Sequence, residues 1–294
     1  IPIRAQSTMD CKIGDYPMTA RLSVPKPYRL LIGGKFPRSA SGRVSPVGDA
    51  YVCHASRKDL RDSVEAARKA QPAWAGATSY LRGQILYRLG EMMEGKRDEL
   101  SSALTAKNAR DEVTQSIDRV LHYAGWCDKY PQVLGCANPV SGPYHNFTVP
   151  EPVGVVGVIC PDEPSLLGLV SLVLPVIAGG SSCVVLASQT SPIAPCVLGE
   201  ALATSDLPAG VVNILTGFRD ELAPHFSSHS EIDAIHAGGL SADQSRVLRE
   251  GAAENLKRVT IREDLDWTDD SACEDPWWIE PFLEMKTIWH PSAT

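Results

Sequence analysis

The feature that most constrains the fold is an alternation of short apolar runs with helical segments between residues 153 and 262. The apolar runs predict strands at Val155–Cys160, Cys183–Leu186, Val211–Leu215, Ile232–His236 and Lys257–Ile261. The segments between them predict helices at Leu166–Ala178, Pro195–Ala203, Asp220–Ser227 and Ala242–Glu254. Strands that are apolar along most of their length need cover on both faces, as in parallel sheets. The alternation therefore predicts an α/β fold, a doubly wound Rossmann-like parallel sheet with right-handed crossovers.

The region before this alternation predicts a tail, a strand and three helices. Residues 1–27 are polar and aperiodic, and Met18 within this tail is a candidate original start. Residues 28–135 form an N-terminal helical part that opens with a strand at Tyr28–Ile32. We expect the first helix to end near Pro72, because proline disrupts helices. Apolar residues at helical spacing mark the three helices: Leu60, Val64, Ala67 and Ala70; Leu81, Ile85, Leu89 and Met92; Val113, Ile117, Val120, Leu121 and Ala124.

Two further segments predict a sheet outside the core. Residues 136–152 are rich in Pro, Gly and Asn around Tyr144–Val149, which predicts an exposed hairpin arm that serves oligomerisation. A linker at 263–281 follows the core at 153–262, and a C-terminal strand occupies 282–294. One face of this strand carries Leu283, Met285, Thr287 and Trp289, and the other carries Phe282, Glu284, Lys286 and Ile288. The pattern predicts a half-buried strand that is stable only when it is paired and covered.

Charge and composition exclude several classes of protein. The formal net charge is -7. No basic cluster is longer than Arg57-Lys58 or Lys257-Arg258, so we expect no nucleic-acid partner. Ser165–Ser188 is uncharged and long enough for a membrane span, but Pro175 and Gly179-Gly180 divide it into a buried helix and a buried strand. The 8 cysteines form no CxxC pair and predict reduced thiols in a cytoplasmic protein.

Three stretches of sequence carry a family resemblance. They are Glu151-Pro-Val-Gly-Val-Val-Gly-Val-Ile-Cys-Pro161, Leu207-Pro-Ala-Gly-Val-Val-Asn-Ile-Leu-Thr-Gly217 and Asn255-Leu-Lys-Arg-Val-Thr260. Through them the chain resembles the aldehyde dehydrogenase superfamily. It is most similar to truncated dehydrogenase-like proteins of actinobacteria, which resemble the degenerate second half of two-part aldehyde dehydrogenases. The resemblance implies a nucleotide-binding part with an oligomerisation arm and with the catalytic domain missing.

The chain departs from the residues that this resemblance implies for catalysis and cofactor binding. The Asn that donates to a developing oxyanion is replaced by Glu163, a carboxylate that accepts hydrogen bonds when ionised. Ala187 and Leu240 stand where polar cofactor contacts are implied, and Arg262 replaces the general-base Glu. Gly238-Gly239 alone remain as a relict cofactor-binding turn. We therefore expect no bound cofactor, and NAD is the one that the resemblance would imply.

The segment after Ile261 offers no convincing nucleophile. The resemblance places the nucleophilic Cys in the missing catalytic domain, and Cys273 is the single Cys between residues 264 and 280. Its neighbours Asp270, Glu274 and Asp275 disfavour the thiolate that catalysis needs. We therefore predict no catalytic residue, and we interpret Cys273 as a solvated or partly packed linker residue.

Histidines and tryptophans outside these motifs allow weaker hypotheses. His225 and His229 are spaced to share a helix face, but no third ligand follows, so capping or surface positions are favoured over a metal site. The tryptophans fit either anchors of an interface or a local packing cluster. They are Trp267, Trp277, Trp278 and Trp289.

Together these observations favour a non-catalytic homologue, or pseudoenzyme. We expect it to act as a structural or regulatory subunit, either beside a full-length aldehyde dehydrogenase or in a homo-oligomer. Two alternatives remain open. One is an NAD(P)-dependent aldehyde oxidoreductase with unusual site residues. The other is a small-molecule or nucleotide-binding module that uses the backbone near Gly238-Gly239.

Overall fold

The computed structural model describes residues 24–292 and arranges them around three sheets. The strands are β1 Pro27–Tyr28, β2 Val44–Val47, β3 Ala50–Cys53, β4 Cys136–Asn138, β5 Tyr144–Pro152, β6 Val155–Ile159, β7 Ser182–Leu186, β8 Val212–Leu215, β9 Ala234–Gly238, β10 Arg258–Arg262 and β11 Leu283–Pro291. The helices are α1 Arg57–Gly76, α2 Ser79–Gly95, α3 Arg97–Ala103, α4 Ala109–Trp126, α5 Tyr130–Leu134, α6 Leu167–Ala178, α7 Ile193–Leu202, α8 Arg219–Ser228, α9 Ala242–Ala253 and α10 Asp270–Cys273. The sheets have the strand orders β10-β9-β6-β7-β8, β1-β3-β2 and β11-β5-β4.

The central sheet confirms the predicted doubly wound architecture. All its strand pairs are parallel. Val156 and Val158 face a core that includes apolar residues of α2, α4, α6 and α7. Val155 and Ile159 face the opposite core, which α1, α8 and α9 supply. Because helices cover both faces, every residue of β6 to β9 is buried.

Helix α1 corrects the prediction that it ends near Pro72. The helix continues to Gly76 with Pro72 inside it and exposed. Trp74 in the last turn is fully buried, and its indole Nε1 donates to the carbonyl oxygen of Ile177 at 2.9 Å. Burial of an indole stabilises by several kcal/mol, which outweighs the single backbone hydrogen bond that proline removes.

The N-terminal part shows two other differences from the predicted elements. The expected strand at Tyr28–Ile32 is reduced to β1 and a bridge between Leu31 and Ile214. Pro27, which was predicted as tail, already pairs with Tyr51 in β1. Residues 1–23 of the predicted tail, including Met18, lie outside the described residues. Between residues 24 and 292 no helix is both long and apolar enough to cross a membrane.

The hairpin arm and the C-terminal strand form one sheet, which we call the arm sheet (β4, β5 and β11). β11 pairs with β5 in antiparallel register from Leu283 opposite Pro152 to Pro291 opposite Tyr144. Leu283 is buried, but the rest of β11 is exposed on both faces. The strand is therefore paired, as the sequence pattern requires, but its residues after Leu283 are uncovered in the single chain. That a neighbouring subunit covers them stays a prediction.

Residues 263–282, which we call the closing segment, pack against the core. The linker interpretation therefore needs correction. Trp267, Cys273, Trp278 and Phe282 are buried within the larger hydrophobic cluster. The rings of Trp267 and Trp278 meet edge to face at 6.4 Å between centroids. Two of the four C-terminal tryptophans thus form a packing cluster, whereas Trp277 and Trp289 are exposed.

The adjacent tryptophans of the closing segment provide a matched test. Trp278 is 4% exposed and Trp277 is 58% exposed. We expect Trp278→Ala to lower the free energy of unfolding by about 3–5 kcal/mol, since it removes a packed core aromatic. The control Trp277→Ala should change it by less than about 0.5 kcal/mol. Urea unfolding followed by circular dichroism measures both values, and equal effects would contradict the packing described here.

Candidate functional site

The candidate site lies at the carboxyl edge of the central sheet, where open α/β sheets usually bind ligands. The sequence positions singled out above come together at this edge. Glu163 follows β6 and Ala187 follows β7. Gly238 is the last residue of β9 and Gly239 comes directly after it, and Arg262 is the last residue of β10. Parallel strands bring these positions together, although they are far apart in sequence. The side chains around them decide whether the edge can hold a cofactor.

The turn after β7 is held by the protein's own polar groups. The Asp162 carboxylate accepts a hydrogen bond from the backbone N–H of Gln189 at 3.0 Å and forms an ion pair with Arg219 Nη1 at 2.9 Å. Arg219 also donates through Nη2 to the Cys160 carbonyl oxygen at 2.7 Å. The Ser188 hydroxyl donates to the Asp162 carbonyl oxygen at 2.9 Å. The polar groups beside Ala187, where the resemblance implies a polar cofactor contact, therefore form hydrogen bonds and an ion pair within the protein.

The turn after β6 offers acceptors rather than donors. Glu163 is largely exposed, and partial burial together with the nearby carboxylates of Glu112 and Asp162 raises its pKa. The carboxylate of Glu112 is buried and accepts from the backbone amides of Leu166 and Leu167 at 2.9 and 3.2 Å. It thereby uses free amides at the start of α6. This turn is not an oxyanion hole, because its carboxyl groups would repel a developing negative charge.

Gly238 and Gly239 closely approach protein side chains. A Cβ atom on Gly238 would lie 2.7 Å from the ring of Trp267, and one on Gly239 would lie 2.6 Å from Cβ of Pro161. Gly239 also has a φ of +65°, a conformation that favours glycine. Packing against Trp267 and Pro161 therefore accounts for both glycines without a phosphate.

The N-terminus of α9 beside this turn is already capped. Ser241 Oγ accepts a hydrogen bond from the backbone N–H of Gln244 at 3.2 Å, and Gln244 Oε1 accepts one from the backbone N–H of Ser241 at 3.2 Å. Gln244 Nε2 also donates to the Asp220 carboxylate at 2.9 Å. The capping box uses amides that a pyrophosphate would need, and Asp220 places a negative charge beside them.

Arg262, at the position of the implied general base, is fixed by aromatic packing. Its guanidinium lies 3.9 Å from the centroid of the Trp278 ring, and its Nε donates to His236 Nε2 at 3.2 Å. His236 is fully buried, and its Nδ1 lies 2.9 Å from the Leu172 carbonyl oxygen. Because a carbonyl only accepts, Nδ1 carries the proton of a neutral imidazole. Burial, together with the charge of Arg262, lowers the pKa of His236 to about 3.

A buried arginine on α4, which the sequence analysis missed, holds the closing segment in place. Arg119 is fully buried and donates to Ser171 Oγ at 2.5 Å and to the Asp270 carboxylate at 2.8 Å. The Tyr123 hydroxyl donates to the Cys273 carbonyl oxygen at 3.0 Å. Nothing in the sequence marks Arg119 as buried, because its partners in the closing segment lie about 150 residues away.

Cys273 itself is buried and has no catalytic environment. Burial raises the pKa of its thiol, and Sγ lies 3.6 Å from the Asp266 carbonyl oxygen. The seven cysteines of the described residues are free thiols, and of these only Cys136, on β4, is exposed. Of the two interpretations, solvated or partly packed, the structure favours packing for Cys273. The thiol lacks both the thiolate and the access that a nucleophile needs.

The arrangement does not fit NAD, and the histidine pair does not form a metal site. Trp267, Pro161 and the α9 capping box occupy the contacts that a pyrophosphate would need. Within residues 24–292 no three His, Cys, Asp or Glu side chains are grouped so that they could hold a metal ion. His229 follows α8 as its capping residue, as the sequence indicates. His225 and His229 instead line a separate groove between α1 and α8.

Comparison with known sequences identifies related proteins. The sequence model of the aldehyde dehydrogenase family matches residues 43–262. The chain is 31% identical over 249 residues to aldehyde dehydrogenase family 2 member B4 of Arabidopsis thaliana, which covers 79% of this chain and 46% of that protein. It is 31% identical over 250 residues to benzaldehyde dehydrogenase of Antirrhinum majus, with the same coverage of 79% and 46%. The chain thus spans about half the length of the curated relatives that it matches.

Solved structures agree with this comparison. The NAD+ complex of an aldehyde dehydrogenase from Bacillus cereus superposes with a TM-score of 0.76 at 28% sequence identity. The alignment covers 81% of this chain and 51% of the Bacillus cereus chain. The chain therefore shares its fold with part of a protein whose structure was solved as an NAD+ complex.

The packing at the carboxyl edge predicts that NAD does not bind measurably. We expect no saturable quenching of tryptophan fluorescence when NAD is added up to about 1 mM, which corresponds to a binding free energy weaker than about -4 kcal/mol. A complete, active family member measured in parallel serves as the positive control. Micromolar saturation that disappears in Gly239→Val would contradict this prediction and favour a nucleotide-binding module.

Proposed function

Because the chain belongs to the aldehyde dehydrogenase family, we propose that it is a non-catalytic member that serves as a structural or regulatory subunit of an aldehyde dehydrogenase assembly. The observation that carries the proposal is the arm sheet. Its strand β11 pairs with β5 over nine residues and presents apolar side chains to solvent. Glu163 and Arg262 stand at the positions that match the oxyanion donor and the base, and Cys273, the single Cys between residues 264 and 280, is buried.

The loss of chemistry follows from three side chains. Glu163 stands where a hydrogen-bond donor is required. Arg262 stands where a base is required, and a guanidinium stays protonated near neutral pH. Cys273 is buried with a raised pKa. Restoring any one of these groups would leave the other two deficient, so single substitutions should not produce an active enzyme.

The exposed surface of the arm sheet supports assembly. Met285, Ile288 and Trp289 are 41%, 42% and 59% exposed, and Tyr144 packs against Trp289 with 5.8 Å between ring centroids. β11 is an edge strand of this sheet, so one side of its backbone is available to pair. Exposed apolar side chains on a strand with a free edge are typical of a protein–protein interface.

The partner is a second copy of this chain or a full-length aldehyde dehydrogenase in the same reducing, cytoplasmic compartment. Either would cover Met285 and Trp289 on one face of the arm sheet and Ile288 on the other. The exposed pair Lys286 and Glu151, which form an ion pair across the strands, would lie at the polar rim of such an interface.

The first prediction of this proposal concerns turnover. The purified chain should form no NADH or NADPH from aldehydes, because the oxyanion donor, the base and the nucleophile are all deficient. Absorbance at the reduced-nicotinamide band measures the rate, with a complete family member as control. A steady-state rate that vanishes in Cys273→Ser would contradict the proposal and favour the oxidoreductase alternative.

The second prediction concerns assembly. Light scattering should give an oligomer for the purified chain, or a complex with a dehydrogenase when the untagged protein is isolated from its host. Met285→Lys with Trp289→Lys should dissociate it, because unpaired charges buried in an interface cost several kcal/mol. Deletion of residues 282–294 should likewise give smaller species or aggregates.

A matched control uses exposed aromatic residues outside the arm sheet. Tyr80 and Tyr87 on α2 are 68% and 54% exposed. Tyr80→Lys with Tyr87→Lys should leave the assembly intact. If the intact chain is a clean monomer and no dehydrogenase co-purifies with it, the subunit proposal fails.

A further inference from the structure

The cationic side chains between α1 and α8 converge on one groove, although they are scattered through the sequence. The groove has a volume of about 510 Å³. Arg57, Lys58 and Arg61 line it from the first turns of α1, and His225 and His229 line it from the end of α8. We call this cavity the basic groove. It unites the basic dipeptide Arg57-Lys58 with the histidine pair, and neither has a role at the carboxyl edge.

The basic groove concentrates positive charge that lacks internal partners. None of the described residues that line it is acidic. Arg57 and Lys58 form no ion pair with any described residue, whereas Arg61 pairs with Asp62 at 2.7 Å. Lys257, from the second basic dipeptide, lies close enough to His229 for its charge to act on the ring. Its Nζ has no hydrogen-bond partner among the described residues, but Lys257 lies outside the lining of the groove, and the charges of Asp233 and Glu254 act on it.

This concentration of charge runs against the electrostatics of α1. Acidic residues are favoured in the first turn of a helix, because the helix N-terminus carries a partial positive charge. Arg57 and Lys58 occupy that turn, and the one carboxylate there, Asp59, is buried in the capping box with Ser56. Cations at such a position are unfavourable, and the Asp59 carboxylate is already engaged by Ser39, Ala40 and Ser56. Departures from local rules of this kind occur at functional sites.

We infer that the basic groove binds a phosphate-bearing small molecule. A phosphate group carries up to two negative charges and several acceptor oxygens, so it can engage both Arg57 and Lys58, whereas a single carboxylate is matched by one arginine. The volume lies within the range of about 300–1,000 Å³ that is usual for small-molecule sites. The net charge of -7 for the whole chain opposes a long polyanion such as a nucleic acid.

The site is separate from the cleft at the carboxyl edge and does not depend on the proposed subunit function. Burial, aided by Lys257, Arg57 and Arg68, lowers the pKa of His229, so the ring is largely neutral in the empty groove at pH 7. A neutral imidazole can donate to a phosphate oxygen through one nitrogen. The neighbouring acid Glu231 acts in the opposite direction on His229 and lies outside the lining of the groove.

Calorimetric titration of the full chain with inorganic pyrophosphate tests the inference. We expect one saturable site per chain. Arg57→Ala with Lys58→Ala should weaken binding about tenfold or more, because it removes two charge-assisted contacts. The matched control is Lys107→Ala with Arg110→Ala, which removes the same two charges from a surface depression that also contains Asp98 and Asp111. The control should bind as the unmodified chain does.

A second measurement locates the site on the unmodified chain, and single variants serve only to assign its resonances. In proton NMR spectra, pyrophosphate should shift the ring resonances of two histidines, which His225→Gln and His229→Gln assign. Three results would overturn the inference: no saturable heat, an equal loss in both double variants, or ring resonances of His225 and His229 that do not move while binding occurs.

Discussion

The burial of Arg119 is the interaction on which the rest of the structure depends. A fully buried guanidinium must be paired and hydrogen-bonded, because its desolvation is otherwise too costly. Its partners are Ser171 on α6 and Asp270 in the closing segment. The arginine therefore fastens the closing segment across α4 and α6. This attachment places Trp267 against Gly238 and Trp278 beneath Arg262. The side chains that fill the carboxyl edge are thus positioned from outside the sheet.

The closing segment also covers one end of the central sheet. The strands β9 and β10 end the central sheet, and without the closing segment one face of that edge would expose apolar surface. Trp267, Trp278 and Phe282 cover it. The same coverage closes the approach to Gly238, since the ring of Trp267 lies 2.7 Å from where a Cβ atom on this residue would be. Covering the core and keeping a cofactor cleft open are competing requirements at this edge.

The sequence could predict the central sheet because its signals are local. Apolar runs, their lengths and the turns between them indicate the strands β6 to β10 within two residues, and they predict a parallel sheet that is covered on both faces. The closing segment could not be predicted in this way. Its burial depends on Arg119 and Tyr123, which lie about 150 residues earlier. The continuation of α1 beyond Pro72 likewise depends on a contact between Trp74 and Ile177 that no local pattern contains.

Functional sites tend to hold groups whose local preferences are not satisfied, so the distribution of such groups is informative. At the carboxyl edge the Asp162 carboxylate is paired, Glu112 caps α6, and the α9 capping box is closed. Groups that lack a partner lie elsewhere in the structure. Apolar residues of β11 face solvent in the arm sheet, and unpaired cations occupy the first turn of α1. A partner or ligand can therefore still gain binding free energy at these two surfaces, rather than at the edge where the fold usually binds NAD.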